Sequence, residues 1–273
     1  MSPALATAGL CGGCGETVTF TSAPLLTTPF SINGEPGGNA IIDTGGAYEL
    51  MLRDSFGLEV METVEVLAFG GRETVGLVNG FEYEVGGLSA TADVALVGLS
   101  TCDCNGVGFF FLRKTGALLH LDFADLRAEF GVDAPLGGVE LPFEPPPDDL
   151  ANFDSAFIPV TVSANGTSVD VVALLDTGTN GSVLRRGLIG EPDPLSPNRL
   201  NVQVTHPSLG TVALRATLFD TEGLPDMILG TDVMQVWSSD WYFHFAPQGG
   251  TVVTFPAGTQ NGTGADTPAA LVQ

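Results

Sequence analysis

The feature that most constrains this chain is a motif that occurs twice, an apolar run that delivers an aspartate into a glycine turn. The first copy is Asn39-Ala40-Ile41-Ile42-Asp43-Thr44-Gly45-Gly46 and the second is Val172-Ala173-Leu174-Leu175-Asp176-Thr177-Gly178-Thr179. An apolar run bounded by turn residues reads as a buried strand, and Asp followed by Gly is turn chemistry. Each copy therefore places a carboxylate where burial would normally exclude one. A single Asp-Thr-Gly is ordinary loop punctuation. Two copies in matched surroundings call for one explanation.

The surroundings do match. The aspartates are 176 − 43 = 133 residues apart, and upstream of them Asn33-Gly34 matches Asn165-Gly166, with 165 − 33 = 132. Asn-Gly between alternating apolar residues is the strongest short hairpin signal, so each aspartate strand is expected to be the second arm of a hairpin. Downstream, Val107-Gly108-Phe109 matches Leu229-Gly230-Thr231, with 230 − 108 = 122. A short, mostly apolar segment follows each glycine, and then the alternating runs Leu119-His120-Leu121-Asp122-Phe123 and Trp241-Tyr242-Phe243-His244-Phe245. The chain reads as one unit duplicated, the second copy being 133 − 122 = 11 residues shorter between aspartate and glycine.

On these residues, each half resembles a retropepsin-type aspartic protease subunit, with a hairpin strand, apolar-apolar-Asp-Thr-Gly, a flap hairpin, and an apolar-Gly motif entering a short helix. The resemblance covers 18–132 and 156–255. It implies an all-β, bilobal pepsin/retropepsin-like acid protease fold in which two tandem β-barrel-like lobes each supply one aspartate. It further implies an aspartic endopeptidase that hydrolyses peptide bonds with a water activated between Asp43 and Asp176, acting on a peptide or protein substrate as a monomer, with no metal and no cofactor. Thr44 and Thr177 would hydrogen-bond across the lobe interface, Gly45 and Gly178 would aim backbone N–H groups at the carboxylates, and Gly108 and Gly230 would pack beneath the two loops. The flap would be the hairpin over 64–75, whose Phe69-Gly70-Gly71 turn lies 70 − 43 = 27 residues after the aspartate. Its counterpart would be the hairpin over 201–212, with Ser208, Leu209 and Gly210 at the tip. The residue after each triplet departs from the family, which usually has Ser or Ala where this chain has Gly46 and Thr179. Thr179 is expected to donate to Asp176 a hydrogen bond that Gly46 cannot supply to Asp43, making Asp176 the more acidic partner. Gly106 and Phe110 also depart, since an apolar residue and an Asp or Asn are usual there.

Composition bounds the alternatives. The chain has 273 residues, with 44% hydrophobic and 15% charged, which is a globular composition. With 36 glycines and 18 prolines, and no pattern supporting a helix beyond about two turns, all-β is expected. The net charge is −23, from 32 acidic residues against nine basic ones, of which only Lys114 is lysine. Nucleic acid and anionic membrane surfaces need a basic face and are excluded as partners. The acidity reads as a solubility surface or as adaptation to acid. No run approaches the ~18 apolar residues of a membrane span, so no membrane insertion is expected. The first ten residues lack the positive region of a signal peptide.

The four cysteines, Cys11, Cys14, Cys102 and Cys104, suit disulfides in an exported protein or free thiols. A four-thiolate zinc site is the functional alternative, with poor ligand spacing. His120, His206 and His244 show no ligand spacing, and no serine sits in a Gly-x-Ser-x-Gly elbow. The expected organisation is an irregular segment over 1–17, a first lobe over 18–139, an acidic Pro-rich linker over 140–155 around Pro145-Pro146-Pro147, a second lobe over 156–257 and a disordered tail over 258–273. Two other readings stay open: a catalytically inactive peptide-binding or scaffold protein on the same fold, and a protein that completes its site by homodimerising.

Overall fold

The computed structural model of the chain describes residues 7–8, 25–68, 71–99, 104–150, 155–192, 194–246 and 249–256. Expectations for the remainder of 1–24, the start of the first lobe included, and for the tail over 258–273 lie outside the described residues. Regular structure is almost entirely β: a ten-stranded sheet, a closed six-stranded barrel and a five-stranded sheet, with two short helices, Phe109–Lys114 and Thr231–Trp237. No helix among the described residues is long and apolar enough to cross a membrane.

Asn33-Gly34 and Asn165-Gly166 each form the two-residue turn that the sequence predicts. Asn33 and Gly34 have φ of 50° and 80°, and Asn165 and Gly166 have 51° and 81°. A turn with positive φ at both central residues matches the twist of the flanking strands, and Asn and Gly tolerate that conformation best. The turns join Thr27–Ile32 to Glu35–Ile42 and Phe157–Ala164 to Thr167–Leu175, so both second arms end one residue before an aspartate. Burial concentrates at that end. Ala40, Ile41 and Ile42, like Ala173, Leu174 and Leu175, are all buried, whereas the turn ends are exposed.

Strand pairing shows which segments of the two halves correspond. In the first half Leu50–Leu52 pairs parallel to Ala95–Val97, and Phe30–Ile32 pairs with strand Glu82–Val85. In the second half Val183–Arg185 pairs parallel to the end of Gly210–Phe219, and 161–163 pairs with Arg199–His206. The hairpin of Arg199–His206 and Gly210–Phe219 therefore corresponds to the segment 82–97. It does not correspond to the hairpin of Glu62–Ala68 and Gly71–Val78, the expected flap. Among the described residues the second half has no such hairpin, and 186–198 joins the equivalent strands. The expectation that Ser208, Leu209 and Gly210 form a second flap is thus corrected. Leu209 is in the main core at 8% exposure, and His206 beside it packs edge-on against Trp237. The shared hairpin pattern misled because flap and sheet hairpins alternate alike, and only their partners differ.

The five-stranded sheet joins the two halves. Leu118–Asp122 pairs antiparallel with Asp240–Phe245, placing His120 opposite Tyr242 with their rings stacked 4.2 Å apart. Since 242 − 120 = 122 is also the offset between the halves here, a local twofold axis passes through this pair. The start of the segment expected as a linker, 140–142, belongs to this sheet. Val139–Pro142 pairs with 251–254, Phe143 packs on Phe243 and Phe245, and Leu150 is buried. Proline-rich composition suggested a spacer, but the apolar residues between the prolines and acids have partners to bury against. At one edge of the ten-stranded sheet, Thr7–Ala8 runs parallel to Leu67 and Ala68. Cys104 is disulfide-bonded, and the other three cysteines lie outside the described residues.

Candidate active site

Asp43 and Asp176 are held by equivalent backbone bonds. The Asp43 N–H donates to the Val107 carbonyl at 2.9 Å and the Asp176 N–H to the Leu229 carbonyl at 3.0 Å. The two helices pin the loops that follow. Their first N–H groups have no partner within the helix, and the Phe109 N–H donates to the Gly46 carbonyl while the Thr231 N–H donates to the Thr179 carbonyl. Gly108 and Gly230 lie under these loops as expected. A Cβ on Gly108 would stand 2.2 Å from the Tyr48 carbonyl oxygen, and one on Gly230 would stand 2.9 Å from the backbone of Gly181.

The two loops meet through reciprocal threonines. Thr44 Oγ1 donates to the Leu175 carbonyl at 2.7 Å and accepts the Thr177 N–H at 3.2 Å. Thr177 Oγ1 donates to the Ile42 carbonyl at 2.6 Å and accepts the Thr44 N–H at 3.1 Å. Both threonines have no exposed surface. Both hydroxyls act as donor and acceptor, so the arrangement satisfies four buried backbone groups. Ser155 adds a bond from its hydroxyl to the Thr44 carbonyl at 2.6 Å.

This contact brings the carboxyl groups together. Gly45 N–H donates to Asp43 Oδ1 at 3.1 Å and Gly178 N–H to Asp176 Oδ1 at 2.8 Å. Each glycine also faces the opposite aspartate. A Cβ on Gly45 would lie 2.4 Å from Asp176 Cγ, and one on Gly178 would lie 2.4 Å from Asp43 Cγ. Only glycine allows that approach. Asp43 is 2% exposed and Asp176 1%. Burial, then the neighbouring charge of Asp43 and the hydrogen bond between the two side chains, hold the Asp176 carboxyl well above the usual carboxylate range. The backbone N–H groups of Gly178 and Thr179 oppose that shift.

Tyr48 is the functional candidate that sequence reasoning missed. Its hydroxyl donates to Asp43 Oδ2 at 2.7 Å, and the ring is 2% exposed. Burial first, then the charge of Asp43, push its phenol well above the ordinary tyrosine range, so it stays a donor. The available signal was the pair of departures at Gly46 and Gly106. A Cβ on Gly46 would lie 2.3 Å from the Tyr48 ring, and one on Gly106 would lie 2.6 Å from its hydroxyl oxygen. Thr179 does not play the part expected of its side chain. Its hydroxyl donates to the Gly181 carbonyl at 3.0 Å, so it supplies Asp176 with a backbone N–H alone. At the other departure, Phe110 is 42% exposed on its helix, whereas its counterpart Asp232 accepts bonds from the Ser182 N–H and hydroxyl.

The hairpin of Glu62–Ala68 and Gly71–Val78 approaches this centre from one side. Val66 and Val75 share a buried cluster with Tyr48, and Leu67 shares one with Phe157, Phe219 and Leu224 of the second half. Gly71 has φ of 116°, a turn conformation that favours glycine; Phe69 and Gly70 lie outside the described residues. A recess of about 750 Å³ lies around Asn165, Gly166 and Arg215 at the far end of the barrel and holds neither aspartate. In comparisons with known proteins, no family model matches the chain and no curated protein matches it.

Proposed function

We propose that this protein is an aspartic endopeptidase of the pepsin/retropepsin kind, in which two lobes share one peptide cleft and Asp43 and Asp176 form the catalytic pair. One observation carries the reading: two buried carboxyl groups in hydrogen-bonding contact, presented by loops that reciprocal threonine bonds hold together. Two like charges in a dry site cannot both persist, so the pair holds one proton. The ionised member takes a proton from a water lying between them as the water oxygen attacks the peptide carbonyl carbon. The protonated member gives its proton to the carbonyl oxygen. In the second step the C–N bond breaks, the amine leaves with the proton held by the first carboxyl, and the second carboxyl recovers its own. The hairpin over 62–78 serves as the lid, opening to admit an extended chain and closing to exclude water. A purely structural role gives no reason to bring two carboxyls into contact, because burial and repulsion both oppose it.

The test is cleavage of a denatured protein or random peptide mixture across about pH 3 to 7, with wild type beside Asp43→Asn and Asp176→Asn. Cleavage by wild type, lost in both variants, is the expected result. Wild type inactive throughout that range would overturn the reading in favour of a peptide-binding protein, and activity surviving in either single variant would overturn the shared pair.

A further inference from the structure

The carboxyl pair is built by a nearly symmetric framework, and one side chain breaks the symmetry. We propose that Tyr48 is a positioning residue whose phenol hydrogen bond makes Asp43 the ionised member of the pair and leaves the shared proton on Asp176. The order of ionisation stands on its own, whereas its catalytic consequence rests on the endopeptidase reading.

Geometry carries the assignment. The backbone donors correspond at the glycines, Gly45 N–H to Asp43 and Gly178 N–H to Asp176, and Asp176 has the Thr179 N–H besides. The side chains do not. Tyr48 aligns with Gly181, since 181 − 48 = 133, and a Cβ on Gly181 would have nothing within 4 Å. The first half thus places a buried phenol where the second half has open space. Nor does the Thr179 hydroxyl supply an equivalent bond, because it is turned to the Gly181 carbonyl. The phenol's place is prepared from three sides, with Gly46, Gly106 and Gly108 each leaving out a side chain that would stand 2.3 to 2.7 Å from side-chain atoms of Tyr48. Three glycines around one ring mark a site shaped for that ring.

A hydrogen bond from a neutral buried donor stabilises a carboxylate more than a carboxylic acid, because the full negative charge sits on the acceptor. Tyr48 on its own loop and Asp176 on the opposing loop are titratable groups that face Asp43. The hairpin packed over Tyr48 contributes Val66 and Val75, which carry no charge. Burial and the charge of Asp43 raise Asp176. Asp43 is then the base that takes the proton from water, and Asp176 is the acid that polarises the carbonyl. The roles follow from a residue that the motif does not contain.

The test follows the carboxyl carbons of Asp43 and Asp176 by ¹³C NMR through a pH titration of the whole protein. Wild type is compared with Tyr48→Phe and with protein carrying 3-fluorotyrosine at position 48. In wild type Asp43 is expected to ionise first. Tyr48→Phe keeps the ring and its packing, and should raise that first ionisation by about one pH unit, tenfold in the equilibrium. Fluorotyrosine is a stronger donor and should move it the other way. The acid limb of kcat/KM should move with each carboxyl titration while KM changes little. A residue that only fills space would leave both titration and acid limb unmoved in Tyr48→Phe, and that result overturns the assignment, as does Asp176 ionising first in wild type. Should Tyr48→Phe fail to fold, the fluorotyrosine protein decides alone, by a shift or its absence. Absence of peptide cleavage would sink the endopeptidase reading, yet the NMR titration would still decide the order of ionisation.

Discussion

Thr44→Val tests whether the reciprocal threonine bonds hold the two carboxyls together. Valine matches threonine in shape but removes Oγ1, and with it one bond to the Leu175 carbonyl and one from the Thr177 N–H. Both partners sit beside a residue with no exposed surface, so water does not readily replace the hydroxyl. At about 1–2 kcal/mol for each buried group left without its partner, the loss should be about 2–4 kcal/mol. Thr44→Ser is the control: it keeps both bonds and removes one methyl, costing about 0.5–1.5 kcal/mol. The assay is equilibrium denaturation at neutral pH, paired with peptide cleavage. Displacing one carboxyl by about 1 Å should lower kcat/KM by roughly a hundredfold in the valine variant. Thr177→Val should behave like Thr44→Val, because its hydroxyl makes the mirror pair of bonds. The double variant should lose less than the sum of the singles, since parting the loops once already weakens the remaining bonds. Equal losses for Thr44→Val and Thr44→Ser would refute the reasoning, for the hydroxyl would then carry nothing that the methyl does not.

Two further outcomes follow from the same geometry. Gly178→Ala puts a methyl 2.4 Å from Asp43 Cγ, and should cost about 1–3 kcal/mol of stability and nearly all cleavage activity. Gly181→Ala, three residues on with open space around its Cβ, should be close to neutral in both; equal effects from the two would refute the close-approach argument. Asp176→Asn should be more stable than wild type at neutral pH. A carboxyl held above its unfolded value binds its proton more tightly in the folded state, so wild-type stability falls as pH rises from the ordinary carboxylate range through the raised folded value. The asparagine variant lacks that loss, and its advantage should vanish in acid. A difference between the two proteins that does not change with pH in denaturation curves would contradict it.

Much of the site was legible because its chemistry is local. Asp-Thr-Gly after an apolar run and the two Asn-Gly turns each act through residues close in sequence. What was misread depended on partners. Two alternating hairpins look alike in sequence, yet one packs over Tyr48 and the other closes the barrel against 161–163. The segment 140–155 has the composition of a spacer, yet Val139–Pro142 finds an edge at Gly250–Thr254. A threonine beside an aspartate has a hydroxyl to offer, and only the folded loop decides that Thr179 turns it to Gly181.

The sequence by itself determined that this chain is a duplicated, strand-rich unit with one aspartate buried at the end of a strand in each half, because turn chemistry and the two-residue alternation of strands are properties of neighbouring residues. The tertiary structure alone decided that the two aspartates meet, and that they are unequal. Contact depends on threonines 133 residues apart exchanging bonds, and the inequality depends on a ring that fits only where glycines 46, 106 and 108 come together. Packing between segments distant in sequence, which no local pattern encodes, made two similar motifs into two chemically different carboxyls.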